Sequence, residues 1–359
     1  RGRDELTSTH ATTATATSNT ITARMSRWAA DLKFDHLSDD AVREAKRYLL
    51  DSIGCAMGGF RQNDVKLALD VLESTGGAGP CTVFGTGRRM DPISASLLNA
   101  LMVRVMDYND IYWQQDPSHP SDIIPAALAC GERSGKVGKE LIVGIVLGHE
   151  FEMRLCEAAF PGIRERGWHH ATLTAFVSPL VAARMMDLDW ERMQHAIGIS
   201  GSRMATLGAV TAGKLTMMKN TVDPRACQSG VLAALFAEKG YTGPEHVIDG
   251  KEGLVHCMGP EWKLELLEHG LGDGFRITRC GMKAFPTEAL THAPISCTLD
   301  LIKDNELDAD QVAKVHIRSL ARAADILADP SKYDPRTKET ADHSLPYVIA
   351  AAVADRQVT

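Results

Sequence analysis

Between about Met25 and Gly270 almost every hydrophobic pattern in the chain repeats at helical rather than strand spacing. Ser38 is placed to cap a helix, with Asp39 and Asp40 in its first turn, and Ala41, Ala45, Tyr48, Leu49, Ser52 and Ile53 recur along one face before Gly58-Gly59 ends it. Asp91 followed by Pro92 starts another, running to about Met106. Further helices are predicted over Val65–Leu72, Ile123–Gly131, Gly138–Phe160, Thr172–Met186, Trp190–Gly198 and Ala226–Lys239, with a short strand at Cys81–Phe84. Gly and Ala are frequent inside these stretches, so the helices can approach one another closely.

The pattern changes after Gly270. Phe275–Thr278 and Val315–Arg318 alternate apolar and polar residues and predict two half-buried strands flanking a helix over Thr291–Asp304. The expected fold class is therefore mainly α with an α+β part: a large all-helical domain over 25–270 and a smaller α+β domain over 271–359. Residues 1–24, rich in Thr, Ser and Ala, predict a flexible tail.

Several function classes fall away. With 39 Lys+Arg against 46 Asp+Glu the net charge is −7, which argues against nucleic acid. No apolar run approaches the roughly 20 residues of a membrane-spanning helix. The eight cysteines form no Cys-x-x-Cys pair, which fits reduced thiols in a cytoplasmic protein and disfavours a zinc or iron–sulfur motif. Gly208–Lys214 has phosphate-loop spacing, but Leu215 replaces the hydroxyl residue; Gly85-x-Gly87 lacks the third glycine of a dinucleotide fingerprint; after His149-Glu150, Met153 stands where a zinc protease needs its second histidine. No local metal signature results.

What survives is a set of polar clusters. Met106–Ser121 places Asp107, Asp110 and Asp116 beside His119, which Pro117 and Pro120 hold in a restricted loop, an arrangement suited to proton transfer. Gly167-Trp168-His169-His170 precedes a helix N-terminus, where imidazole N–H groups can hold a carboxylate. Lys219 in Met217–Asn220 and Lys283 in Gly281–Pro286 supply cations for an anionic substrate, and Asp342–Tyr347 forms a last polar turn. Taken singly, each also fits a capped turn, a core contact or a solvated surface. Together they fit acid–base chemistry on a small polycarboxylate.

These stretches, with Leu50-Asp51-Ser52-Ile53-Gly54-Cys55, Met106–Asp110, His119-Pro120-Ser121-Asp122, Gly167-Trp168-His169, Met218-Lys219-Asn220, Lys283-Ala284-Phe285-Pro286 and Thr340–Tyr347 in order, resemble the MmgE/PrpD family of dehydratases, decarboxylases and epimerases. The resemblance implies an active site in a cleft between the helical domain and an α+β lid, a homodimer, and no metal or organic cofactor. It implies His119, Asp107 and Lys219 as catalytic residues and His169, Lys283 and Tyr347 as substrate-binding residues. Ile111, where decarboxylases carry threonine, and Asp122, where they tend to glycine, tilt the expectation toward a hydro-lyase acting on a citrate-like acid such as 2-methylcitrate. Decarboxylation of cis-aconitate, epimerisation of an amino-dicarboxylate in the same pocket, and a non-catalytic polycarboxylate-binding dimer stay open beside it. Members of the family usually continue with helices returning to the large domain, so the resemblance also implies either a lid truncated at Thr359 or an atypical member of the family.

Overall fold

The computed structural model describes residues 19–203, 205–259 and 261–359. The predicted tail falls largely on residues 1–18, outside that range; its last residues are not a tail, because Thr20 caps a helix that begins at Ile21. The chain is mainly α with small β elements. The larger part holds α1 (Ile21–Asp31), α2 (Asp39–Gly59), α3 (Asn63–Ser74), α4 (Pro92–Arg104), α5 (Ile124–Ser134), α6 (Gly138–Ala158), α7 (Ala171–Met185), α8 (Trp190–Gly201), α9 (Met218–Glu238) and α10 (Leu254–Met258). The smaller part holds α11 (His292–Asp304), α12 (Ala321–Leu327), α13 (Lys338–Ala341) and α14 (Leu345–Asp355).

The capping chemistry read from the sequence is present. Ser38 accepts from the Ala41 N–H at 3.2 Å, and Asp91 accepts from the Ile93 and Ser94 N–H groups at 2.9 and 3.0 Å. α7 carries no charge before Arg184 and is buried on all sides, as a helix without a polar face must be. It packs along α9, and the approach is possible because Gly230 has no side chain: a Cβ there would lie 2.5 Å from the Pro179 nitrogen. The α9 helix begins eight residues before the predicted Ala226, running through Pro224, because packing outweighs the proline's missing N–H.

Strands are few. β1 (Ala78–Val83) pairs antiparallel with β2 (Arg88–Met90), β3 (Tyr112–Trp113) with β4 (Pro117–Ser118), and β5 (Ala159–Phe160) with β6 (Glu261–Trp262). The two strands predicted near 275 and 315 are not strands. Arg276–Arg279 is a 3-10 turn whose first N–H goes to the buried Glu150 carboxylate at 2.7 Å, so no ladder forms. Residues 312–320 are irregular and largely exposed, with no neighbouring strand to pair with among the described residues. A period-2 pattern marks a strand only when a partner satisfies its backbone. The smaller part instead gathers around Ile295, Ala323, Leu327, Leu345, Val348 and Ile349. It is tied to the larger part by paired backbone hydrogen bonds between Ile111 and Gly281, at 2.8 and 3.0 Å.

Candidate active site

The segment between α4 and α5 is folded back on itself by the β3–β4 ribbon, which pairs Tyr112 with Ser118. This returns His119 to Asp110, whose carbonyl accepts from His119 Nδ1–H at 2.5 Å. Because Nδ1 donates, the neutral ring presents a lone pair on Nε2. The Asp110 carboxylate fixes the turn from the other side, accepting from the Ser121 N–H at 3.1 Å and the Ser121 hydroxyl at 2.6 Å.

Asp107 opens the segment in the left-handed region, at φ 48°. Asp tolerates this better than most residues. The bend lets one ammonium reach both its groups: Lys283 Nζ donates to the Asp107 carbonyl at 2.9 Å and to its carboxylate at 3.0 Å. Lys283 arrives two residues after the Gly281–Ile111 pairing, so that contact between the two parts delivers the cation. Arg104, at the end of α4, pairs with the same carboxylate, and Lys219 Nζ lies 3.4 Å from it. Burial alone would raise the Asp107 pKa, but Lys219, Lys283 and Arg104 hold it well below the usual carboxylate range. Lys219 is fully buried, with its ammonium held by Asp107 and, at 3.9 Å, by Asp342; burial pulls its pKa down to about 8 against those two carboxylates.

His169 and His170 stand before α7, their rings stacked 3.9 Å apart, and the His119 ring meets His170 edge-on at 5.3 Å. His169 Nδ1 accepts from the Ala171 N–H at 3.2 Å, so its neutral ring offers Nε2–H as a donor. Burial, then His170, lowers the His169 pKa well below the imidazole range. His119 is lowered in the same direction by burial and then by Arg104 and Lys283. His343 completes the group, its Nδ1 2.6 Å from Asp342; burial and Lys219 bring it to about 4.

Arg104, Asp107, His119, His169, His170, Lys283 and His343 all line one inner cavity of about 40 Å³, room for a few waters. Pro117, Arg164, His169, His170, Thr211 and Ile326 are shared with an outer cleft of about 620 Å³, a size typical of small-molecule sites. Ile111 and Trp113 give the inner chamber an apolar wall. The chemistry this permits is proton transfer at His119 beside fixed positive charge for carboxylates.

The structure thus brings His119, Asp107, His169 and Lys283 to one cavity. It places Lys219 behind Asp107, away from the lining. Tyr347 is not brought in: it is 50% exposed and lines a different groove, between Gln62 and the chain end. The cause is helical geometry, since Tyr347 lies in the first turn of α14, whose Leu345, Val348 and Ile349 take the buried face. Asp122 is buried 3.7 Å from Arg104 and is not part of the lining. Residues that the sequence reading did not select are Arg104, Arg164 and Glu288; His170 and His343 stood in polar clusters it named but were given no role of their own. Arg104 had a signal, a lone charge inside the apolar run from Leu97 to Met106; Arg164 and Glu288 had none.

Among the described residues, three groupings bring His, Cys or Asp atoms within 4.8 Å: Asp110/His149/Cys280, His169/His170/Asp223 and Asp107/Asp342/His343. Ser121 hydrogen-bonds the first group's Asp110 and Lys219 and Lys283 lie against the third group's Asp107, whereas in the second Arg104 Nε is 3.6 Å from Asp223 and neither Asp223 carboxylate oxygen has a hydrogen-bond partner among the described residues.

Comparison with known proteins agrees with the residue pattern. A cis-aconitate decarboxylase from Aspergillus terreus is 24% identical over 94% of this chain and 72% of its own length. A mitochondrial 2-methylcitrate dehydratase from Yarrowia lipolytica is 25% identical over 92% of this chain and 65% of its own. A cis-aconitate decarboxylase from Homo sapiens is 23% identical over 91% and 69%. Residues 23–267 match the MmgE/PrpD N-terminal domain and residues 285–359 the MmgE/PrpD C-terminal domain, and the chain belongs to the MmgE/PrpD family.

Proposed function

We propose that this protein is a hydro-lyase that removes water from a citrate-like tricarboxylate such as 2-methylcitrate. The observation that carries the reading is the state of His119. Its Nδ1–H is committed to a carbonyl and burial keeps the ring neutral, so Nε2 presents a free lone pair with no protein hydrogen bond among the described residues. Dehydration begins by removing a proton from carbon next to a carboxylate. Decarboxylation instead ends by delivering one, and a histidine held neutral is poorly set up for that.

Lys283, Arg104 and Arg164 surround the chamber with positive charge, and the negative charge that builds up on the substrate as the proton leaves would be stabilised there. His169 Nε2–H donates to a substrate carboxylate. Asp107 holds the cations in place, and Lys219 acts through Asp107 rather than on the substrate. The inner chamber receives the reacting end and the outer cleft the remaining carboxylates. General acid–base catalysis supplies about 10²–10⁴-fold, so charge stabilisation and positioning provide most of the acceleration.

The decarboxylase relatives give the second reading a specific footing, since cis-aconitate would use the same cations. One experiment separates them: purified protein incubated with 2-methylcitrate, citrate and cis-aconitate while alkene absorbance and CO₂ are followed together. The expected result is alkene formation that His119→Ala reduces at least ~100-fold with the circular dichroism spectrum unchanged. CO₂ release from cis-aconitate without hydration would replace the hydro-lyase reading. Thermal stabilisation by the acids without any conversion would leave only a binding protein.

A further inference from the structure

We propose that Glu288 is the general acid of the elimination, the group that protonates the departing hydroxyl. This rests on the hydro-lyase reading. Elimination of hydroxide needs a proton donor as well as a base, and hydroxide is too poor a leaving group to depart alone.

The cavity lining offers few donors. Tyr347 is outside it, and Lys219 is hidden behind Asp107. Lys283 spends two of its hydrogens on Asp107, and arginine does not release a proton at working pH. His169 carries only the N–H of a neutral imidazole, a very weak acid. His343 is paired with Asp342, and His170 Nε2 faces Asp223 at 3.4 Å.

Glu288 remains. It is buried and lines the same chamber as His119. Its place is set from both sides of the turn before α11: its N–H donates to the Asp342 carbonyl at 3.0 Å, and the Thr291 hydroxyl donates to its carbonyl at 2.7 Å. Its Oε2 accepts from the Leu290 N–H at 2.6 Å, leaving Oε1 without a protein hydrogen bond and the carboxyl without an ion pair at 4 Å among the described residues. Asp107, by contrast, is met by three cations. Two carboxyl groups in one chamber are therefore driven apart, one ionised and one able to keep its proton. Burial pushes Glu288 up to about 7, opposed by Lys283 and Arg164 and assisted by Asp107.

The step balances as follows. His119 Nε2 takes the proton from carbon, the C–H electron pair becomes the C=C bond, and the C–O bond breaks. The oxygen takes the Glu288 proton and leaves as water. The proton on His119 then returns to Glu288 through solvent.

The test compares Glu288→Gln with the unsubstituted protein in D₂O, reading elimination by absorbance and deuterium entry into unreacted substrate by NMR. Glu288→Gln is expected to lose at least ~100-fold in elimination while still exchanging the C–H, and to eliminate fluoride normally from the analogue bearing fluorine in place of the hydroxyl. A smaller loss, loss of exchange as well, or an equal loss with the fluoro acid overturns the assignment. If Glu288→Gln does not fold, the pH profile of the unsubstituted protein decides: an alkaline limb for the hydroxy acid that is missing for the fluoro acid supports the proposal, and the same profile for both overturns it. If the unsubstituted protein neither exchanges nor eliminates, the hydro-lyase reading itself fails.

Discussion

Asp107→Asn tests the charge arrangement that everything in the cavity leans on. Asn also tolerates the left-handed backbone at φ 48° and has the same shape, so the substitution removes a charge and little else. It takes one anionic partner from three cations: Lys283, at 3.0 Å, keeps the Asp107 carbonyl, Lys219, at 3.4 Å, keeps Asp342 at 3.9 Å, and Arg104 keeps Asp122 and Asp223 at 3.7 and 3.6 Å. At an effective dielectric near 20, each lysine contact is about 5 kcal/mol of gross attraction, and breaking a buried ion pair costs about 3–5 kcal/mol net. Unfolding entropy of about 2.1 cal/mol/K per residue gives about 0.75 kcal/mol/K for this length, so the calorimetric midpoint at pH 7 should fall about 4–7 °C. Lys219 adds a pH signature. Its lowered folded value of about 8 means that keeping Lys219 buried already costs stability below that pH, and without Asp107 the value falls further and the cost at pH 7 grows. Raising the pH from 7 to 9.5 therefore removes up to about 1.4 kcal/mol of the deficit, or up to about 2 °C. A midpoint within 1 °C of the unsubstituted protein at pH 7, or a deficit identical at both pH values, would refute the reasoning.

Tyr347→Phe should change turnover by less than about threefold, the range of a surface substitution, because the ring lies outside the cavity; a large loss of kcat would mean that α14 moves to close the cleft. His119, His169 and His343 have folded values below their unfolded ones and lower stability as pH drops below about 6.5, while Glu288, Glu152, Asp122 and Asp51, raised by burial, bind more protons in the fold and oppose this; the midpoint of Glu288→Gln relative to the unsubstituted protein should therefore rise from pH 5 to pH 7.5, and a constant difference would contradict the sign. Gly230→Ala should cost about 1–3 kcal/mol despite the higher helix propensity of alanine, seen as a lower midpoint, because its Cβ would meet the Ser178–Pro179 backbone of α7.

Local chemistry was legible in the chain itself. Ser38 and Asp91 announce their helices because a cap is a contact between residues two or three apart, and the uncharged run of α7 announces its burial because no face could meet water. The order of the polar clusters identified the residues of the chamber that carry distinctive neighbours, His119, His169 and Lys283. Tertiary structure decided what depends on distant partners. The alternation at 275–278 and 315–318 lacked a strand to pair with, and Pro224 sits within a helix that packing sustains. Lys219 stands behind Asp107, Tyr347 faces outward, and Glu288 lines the chamber, because side-chain direction follows from how whole helices and turns are seated. The protonation states belong to the fold as well: a histidine or carboxyl takes its charge from burial and from neighbours far away in the chain, and those are set only once the two parts meet at Ile111 and Gly281.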